Sequence, residues 1–202
     1  MKRALGVGVV AIVAATAVLV WSLVGSQSLK HADGAGPLES NGGKFADSFA
    51  WPQDVAGPVT GGVPLCLVAG SEGAIIEKIE PEGELGSGWD YLGALVRHFP
   101  SDASHSAILS AHGFPPAVPE HLYPAVGYIV TSGCTDEQRN ADYTELLIGF
   151  QRPNATGGGW SGIDVTYTVS GVRHVLVIGQ SFAHCGEGLD AHYCPTAPPA
   201  AQ

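Results

Sequence analysis

Basic residues are scarce in this chain. Nine Lys and Arg stand against 19 Asp and Glu in 202 residues, a formal charge of −10, and only four of the nine are lysines. Phosphate binding needs a basic footprint, so the balance argues against nucleic acid as a partner. An anionic lipid surface would repel the chain too. Amphipathic helical periodicity is almost absent, and no internal repeat is visible. Also missing are a Walker loop, a dinucleotide fingerprint, a C-x-x-C pair and a serine-lysine catalytic spacing. No cofactor or metal is expected on that basis, although a catalytic triad is assembled in space and leaves no such trace.

What is present begins at the N-terminus. Residues 4–25, ALGVGVVAIVAATAVLVWSLVG, carry no formal charge, and about 22 residues at ~1.5 Å each span a hydrocarbon core of ~30 Å. A cleaved signal peptide has a shorter apolar region of ~7 to 15 residues, followed by a small-residue site. Here the only A-x-A motif, at 15–17, lies inside the run. A retained single-pass signal anchor, or transmembrane helix, is therefore expected over 1–25; cleavage would instead give a secreted protein. Lys2 and Arg3 hold the N-terminus on the cytoplasmic side and place the rest of the chain outside the cell. Abundant Ala, Gly, Val and Pro with few lysines suggests a GC-rich bacterial genome, for which outside means the cell-wall space.

Residues 26–62 are rich in Gly, Ser, Pro and Asp without an apolar period, and read as a flexible linker. The tail at 196–202 is Pro/Ala-rich and reads as disordered. Between them, 63–195 is long enough for one domain with its own core. Its clearest signal is GIDVTYTVSGVRHVLVIG. Ile163, Val165, Tyr167 and Val169 alternate with Asp164, Thr166 and Thr168, the period of a half-buried strand. Ser170 and Gly171 then supply a two-residue turn, and a β-branched run returns. Six further runs bounded by Gly or Pro bring the expected strands to about eight. Only TDEQRNAD, after Cys134, reads as helical. The pattern predicts a mainly β ectodomain, either an antiparallel β-sandwich of immunoglobulin-like form or a small barrel.

The chemistry turns on HCGEGLDAHYC at 184–194. Imidazole and thiolate are preferred zinc donors, yet His184 and Cys185 are adjacent and would point to opposite sides of a strand. The usual C-x₂₋₄-C and H-x₃₋₅-H pairs are absent. Four cysteines on the oxidising side of a membrane read instead as two disulfides. Three pairings of Cys66, Cys134, Cys185 and Cys194 are open; Cys185 with Cys194 and Cys66 with Cys134 is the preferred set.

Other constellations read as structural. His98, His105 and His112 recur every seven residues, but Pro100 and Gly113 interrupt any helix that would align them. His121 sits in a Pro-rich loop without the H-E-x-x-H spacing. Glu72, Glu77, Glu80, Glu82 and Glu84 lack the EF-hand pattern and read as a solvated acidic face, with Glu77 opposite Lys78 and Glu80. GGGWSGI at 157–163 misses the nucleophile-elbow pattern, since Ile163 takes the place of its final glycine. Its glycines permit a tight approach, with Trp160 packing over an edge or standing in a recognition loop. The sequon at 154–156 matters only in a glycosylating secretory pathway.

The charged lead, the Gly/Pro linker, Cys66 in VPLCLV, the block YTELLIGFQRPNATGGGWSGIDVTYTVSG and the final CG…C together resemble uncharacterised exported, membrane-anchored proteins of actinobacteria. The resemblance implies location and a single β-rich ectodomain and carries no activity. The expected function is a membrane-tethered extracellular binding or structural domain of the cell envelope, non-enzymatic, that meets an envelope protein or a cell-wall component. Trp160, His184 and His192 are its candidate binding residues. The alternative is an extracellular hydrolase, metal-dependent or not, built on His184, His192 and nearby carboxylates.

Overall fold

In a computed structural model, residues 30–31, 36–40, 49–68, 70–87, 89–99, 110–135, 143–189 and 194 are described. The chain divides into two compact units, Met1–Lys30 and His31–Gln202. The expected membrane anchor, His105, His192, most of the predicted helical segment and the tail lie outside the described residues. Among the described residues no helix is long and apolar enough to cross a membrane.

The second unit is mainly β, as the alternation predicts. Its strands, numbered after β1 (Lys30–His31), are β2 (Leu38–Glu39), β3 (Phe49–Trp51), β4 (Pro58–Leu67), β5 (Ala74–Gly86), β6 (Asp90–Phe99) and β7 (Ser110–His112), then β8 (Leu122–Pro124), β9 (Ile129–Val130), β10 (Tyr143–Gln151), β11 (Gly158–Val169), β12 (Val172–Ile178) and β13 (Phe182–His184). One sheet centres on β11, which pairs with β5 along one edge and with β13 and then β12 along the other. β9 extends β5, and β3 adds to β13 in the sheet's parallel step. The second sheet runs β2-β4-β10-β6-β8, with β7 also on β4.

Side-chain alternation decides how the sheets meet. Ile163, Val165, Tyr167 and Val169 of β11 are buried, as are Val59, Val63, Leu65 and Leu67 of β4 and Leu146, Ile148 and Phe150 of β10. These inward rows form one shared core. The other face of β10 is covered as well. Glu145, fully buried, meets Arg97 at 3.2 Å, and Arg97 also holds Glu120 at 2.6 Å while lying 4.1 Å from the Phe99 ring centre. Gly149 has no side chain because the Phe114 ring lies where its Cβ would be. β10 is thus buried on both faces, with a charged pair on one of them.

The hairpin between β11 and β12 forms where expected. Ser170 (φ 49°) and Gly171 (φ 75°) both take positive φ, the requirement of a type I′ turn. Both disulfides form in the preferred pairing, Cys66–Cys134 and Cys185–Cys194.

The N-terminal boundary of the fold differs from expectation. The stretch 26–62, read as a linker, contains β1, which pairs with β12, as well as β2, β3 and the first half of β4. Leu38 is 1% exposed, its N–H donates to the Tyr167 hydroxyl at 3.2 Å, and the Val68 N–H donates to Pro37. Trp51 is buried among aromatic rings. Strands of two or three residues show no periodicity, so their composition resembles that of a linker while single large side chains dock them.

The registers define two ends. At one, β2 joins the C-terminal end of β4, β9 joins the start of β5, and the β11–β12 turn lies beside Glu72. Here the chain enters from its N-terminal side, and Cys66–Cys134 closes this end. At the opposite end β5 finishes against Gly158 of β11, which pairs with His184; this end carries Cys185–Cys194.

Candidate functional site

Sequence-distant aromatic residues converge at the end away from the chain's entry. Trp89 leads into β6 and sits within 5.2 to 6.2 Å, centre to centre, of Phe150, His184, Trp160 and Trp51. Phe182 closes the group, 5.1 Å from Phe150 and 6.4 Å from Trp51. Edge contacts predominate around Trp89, the geometry in which a ring's positive rim meets a neighbour's negative face.

The glycines of 157–163 let this end close. A side chain at Gly159 would strike the Phe182 carbonyl, and one at Gly157 would strike Gly186 and Leu189. The β10–β11 loop can therefore lie directly on the segment after β13, joined by the Gly157 N–H to Glu187 carbonyl bond of 2.9 Å. Trp160 and Ile163, three residues apart, are both buried. The alternation that starts at Ile163 does not extend to Trp160, whose ring packs inward against Phe150 at 4.9 Å.

Two expected binding residues are thus brought together, but inside the fold. Trp160 is 8% and His184 1% exposed. Neither offers its side chain to solvent. Neither ring nitrogen of His184 has a hydrogen-bond partner, and the same holds for Trp89 Nε1 and Gln180 Nε2. Buried polar groups of this kind are rare in folded proteins, and each costs stability.

Burial holds the His184 pKa below its ordinary value, with the Arg152 charge acting in the same direction. A contact with the Val55 backbone, short of full hydrogen-bond geometry, and the Asp54 charge pull the other way. Arg152 is itself fixed by the carbonyls of Cys185 and Gln53, at 3.2 and 3.0 Å. The unfolded chain therefore takes up the His184 proton at a higher pH than the folded one. Stability from the neutral ring is complete above about pH 6.5, the free-histidine value, and declines as pH falls through it. Substitution of His184 by Phe is expected to flatten the dependence of the urea midpoint between about pH 5 and 7. An unchanged slope would show that the ring does not titrate in this way.

Around the aromatic floor lie residues that the sequence did not single out. Tyr91 and Leu92, at the start of β6, are 36% and 38% exposed. The Tyr91 ring stands edge-on to Trp160 at 6.2 Å, and desolvation pushes its phenol up to about 12, so the hydroxyl remains a donor. GSGWDYL at 86–92 holds the relevant signal, three large apolar side chains directly after a glycine-rich turn.

The remaining candidates do not converge. His98, on β6, approaches Thr144, whereas His112, on β7, pairs in register with Val59 at the opposite end of β4. His121 is exposed beside Tyr123. The glutamates line the solvent face of the β11 sheet. A register shift opposite Thr166 and Tyr167 moves Glu77 onto the face of Lys78 and Glu80, correcting the simple alternation. There it accepts bonds from Thr168 and, at 2.7 Å, from Arg173. The Thr168 bond lowers its pKa most, burial raises it, and Arg173 lowers it. Glu80 meets Lys78 at 2.5 Å and Glu72 accepts from Ser170 at 2.7 Å. The face holds an open depression of about 540 Å³. Asn154 is exposed, its Oδ1 accepting the Thr156 N–H. Among the described residues no group of three or more His, Cys, Asp or Glu is placed to share a metal ion.

No protein-family model matches the chain, and no match to it was found among curated proteins.

Proposed function

We propose that the chain is a membrane-tethered extracellular domain of the bacterial cell envelope that binds or supports another envelope component, without catalysing a reaction. Its architecture reads as an antiparallel β-sandwich, since each sheet keeps its own strand order and both share one core. The uncharged run at 4–25 supplies the tether, and two disulfides fit an oxidising compartment.

One observation carries the binding role. Tyr91 and Leu92 are exposed, and the Tyr91 ring stands on Trp160, which is packed against Trp89 and Phe150. Trp160 and His184 contribute as the floor beneath the contact. Exposed aromatics backed by packed neighbours lose little side-chain entropy on binding, which suits them to protein or cell-wall contacts.

The experiment is capture of envelope components by the tethered protein, compared with a Tyr91→Ser, Leu92→Ser variant. A partner retained by the native chain and lost by the variant, with an unchanged unfolding midpoint, supports the reading. Equal capture by both places the contact elsewhere.

A further inference from the structure

The sheet built on β11 ends on β5, and most of that strand has a neighbour on one side alone. From Ile75 to Gly86 it pairs with β11, whereas on its other side β9 reaches Ala74 and Ile75 and no further. The Tyr128 carbonyl accepts the Ile76 N–H at 3.0 Å, and the Ile76 carbonyl accepts the Gly127 N–H at 2.8 Å. From Glu77 to Gly86 no strand among the described residues lies along this edge. A sheet edge that keeps its N–H and C=O groups open is a template for a further strand.

The register determines which groups the edge presents. Opposed residues of an antiparallel pair alternate between exchanging both hydrogen bonds and turning both groups outward. The main-chain groups of Ile76 face outward, and the register shift between Thr166 and Tyr167 resets the alternation beyond it. Pro81, opposite Ile163, has no N–H to give to β11. The next carbonyl, that of Glu82, turns toward β11 and accepts the Ser161 hydroxyl at 3.4 Å. Ile79 and Pro81 therefore direct their main-chain groups away from β11, and proline on the open side of an edge strand costs the sheet no bond. The Ile79 side chain is 7% exposed and joins the core, so a partner meets an edge already in place.

Charge selects the occupant. Between residues 78 and 90, Glu80, Glu82, Glu84 and Asp90 stand against Lys78, and Lys78 is already held by Glu80 at 2.5 Å. Like charges facing one another across a strand pair destabilise it, which disfavours a second copy of this edge and favours a strand carrying Lys or Arg. The edge also runs toward the contact proposed above. Glu84 pairs with Trp160, on which the Tyr91 ring stands at 6.2 Å.

We infer that the free edge of β5, from Ile79 toward Leu85, takes an extended basic polypeptide segment of the partner as an added strand, whose end meets Tyr91 and Leu92. The inference rests on the proposed contact at those two residues. Main-chain bonds to Ile79 and Pro81 supply affinity that does not depend on sequence, and Glu82, Glu84 and Asp90 select Lys and Arg.

The test is titration of the full-length chain, in a neutral detergent, with a decapeptide of alternating lysine and threonine, read by affinity and by amide hydrogen exchange. Binding is expected to slow exchange severalfold in peptides containing 78–86 and to leave those containing 172–178 unchanged. Methylation of every backbone nitrogen of the decapeptide keeps its charge and removes its donors, and should weaken binding severalfold, as should replacement of its lysines by glutamate. Glu82→Lys with Glu84→Lys, both at exposed positions, should have the same effect and leave the unfolding midpoint unchanged. Equal binding of the methylated and unmethylated peptides, or protection confined to other segments, would overturn the added strand. If capture of envelope components depends on Tyr91 and Leu92 while the decapeptide leaves 78–86 unprotected, the strand is wrong and the contact stands. Equal capture by the native chain and the Tyr91→Ser, Leu92→Ser variant, with 78–86 still protected by the decapeptide, removes the contact and leaves the strand.

Discussion

Replacing Trp89 by alanine is expected to cost about 3 to 5 kcal/mol of folding stability, the range for removing a large buried aromatic. Trp89 is 8% exposed and lies against four other rings, so no single neighbour can move to fill the space. Phenylalanine at the same position should cost far less. It keeps a ring among the same partners and removes the indole N–H, which has no hydrogen-bond acceptor. Relief of a buried unpaired donor, worth about 1 to 3 kcal/mol, offsets much of the lost volume. Urea unfolding followed by near-ultraviolet circular dichroism separates the two variants. A loss below about 1 kcal/mol for alanine would mean that this end is loosely packed, and the rigid floor beneath Tyr91 and Leu92 would no longer hold.

Removal of the disulfide Cys66–Cys134 is expected to be comparably damaging. It joins residues 68 apart, whereas Cys185–Cys194 joins residues 9 apart. Restriction of the unfolded chain grows with the logarithm of loop length, giving about 4 kcal/mol for the long loop and about 3 kcal/mol for the short one. Local structure strengthens the contrast. Cys66 is 5% exposed, and the bonds from Leu67 to Ser132 and from Cys134 to Leu67 tie both cysteines into the entry end. Paired Cys→Ala variants, unfolded in urea under identical conditions, should rank in that order. The opposite ranking would show that packing at the aromatic end, not chain restriction, sets the contribution of each bridge.

The parts of this fold that were legible in the sequence are those where one local rule acts alone. The alternation from Ile163 to Val169 announces β11, and the Ser170 and Gly171 pair announces its turn. The even cysteine count beyond an apolar run announces two disulfides. Legibility fails where a neighbour overrides the local pattern. β2 and β3 are too short to show a period and form because Leu38 and Trp51 are captured by the core. Glu77 is moved across its sheet by a register shift that nothing in its own segment encodes. Trp160 is drawn inward by Phe150 and Trp89, and His184 is buried with its ring edge-on to Trp89. Their burial is a property of the assembly, which no local pattern in either segment encodes. Tyr91 and Leu92 were passed over because GSGWDYL begins as a turn.

The tethered, outward-facing placement can be read from intact cells freed of their wall and exposed to a protease that cannot cross the membrane. Cleavage within the Gly-rich stretch after residue 25 should release a folded fragment with both disulfides intact, leaving the apolar N-terminus in the membrane pellet. A chain that stays protected until the cells are lysed, or that is recovered from the lysate with four free thiols, would contradict the placement and the binding role built on it.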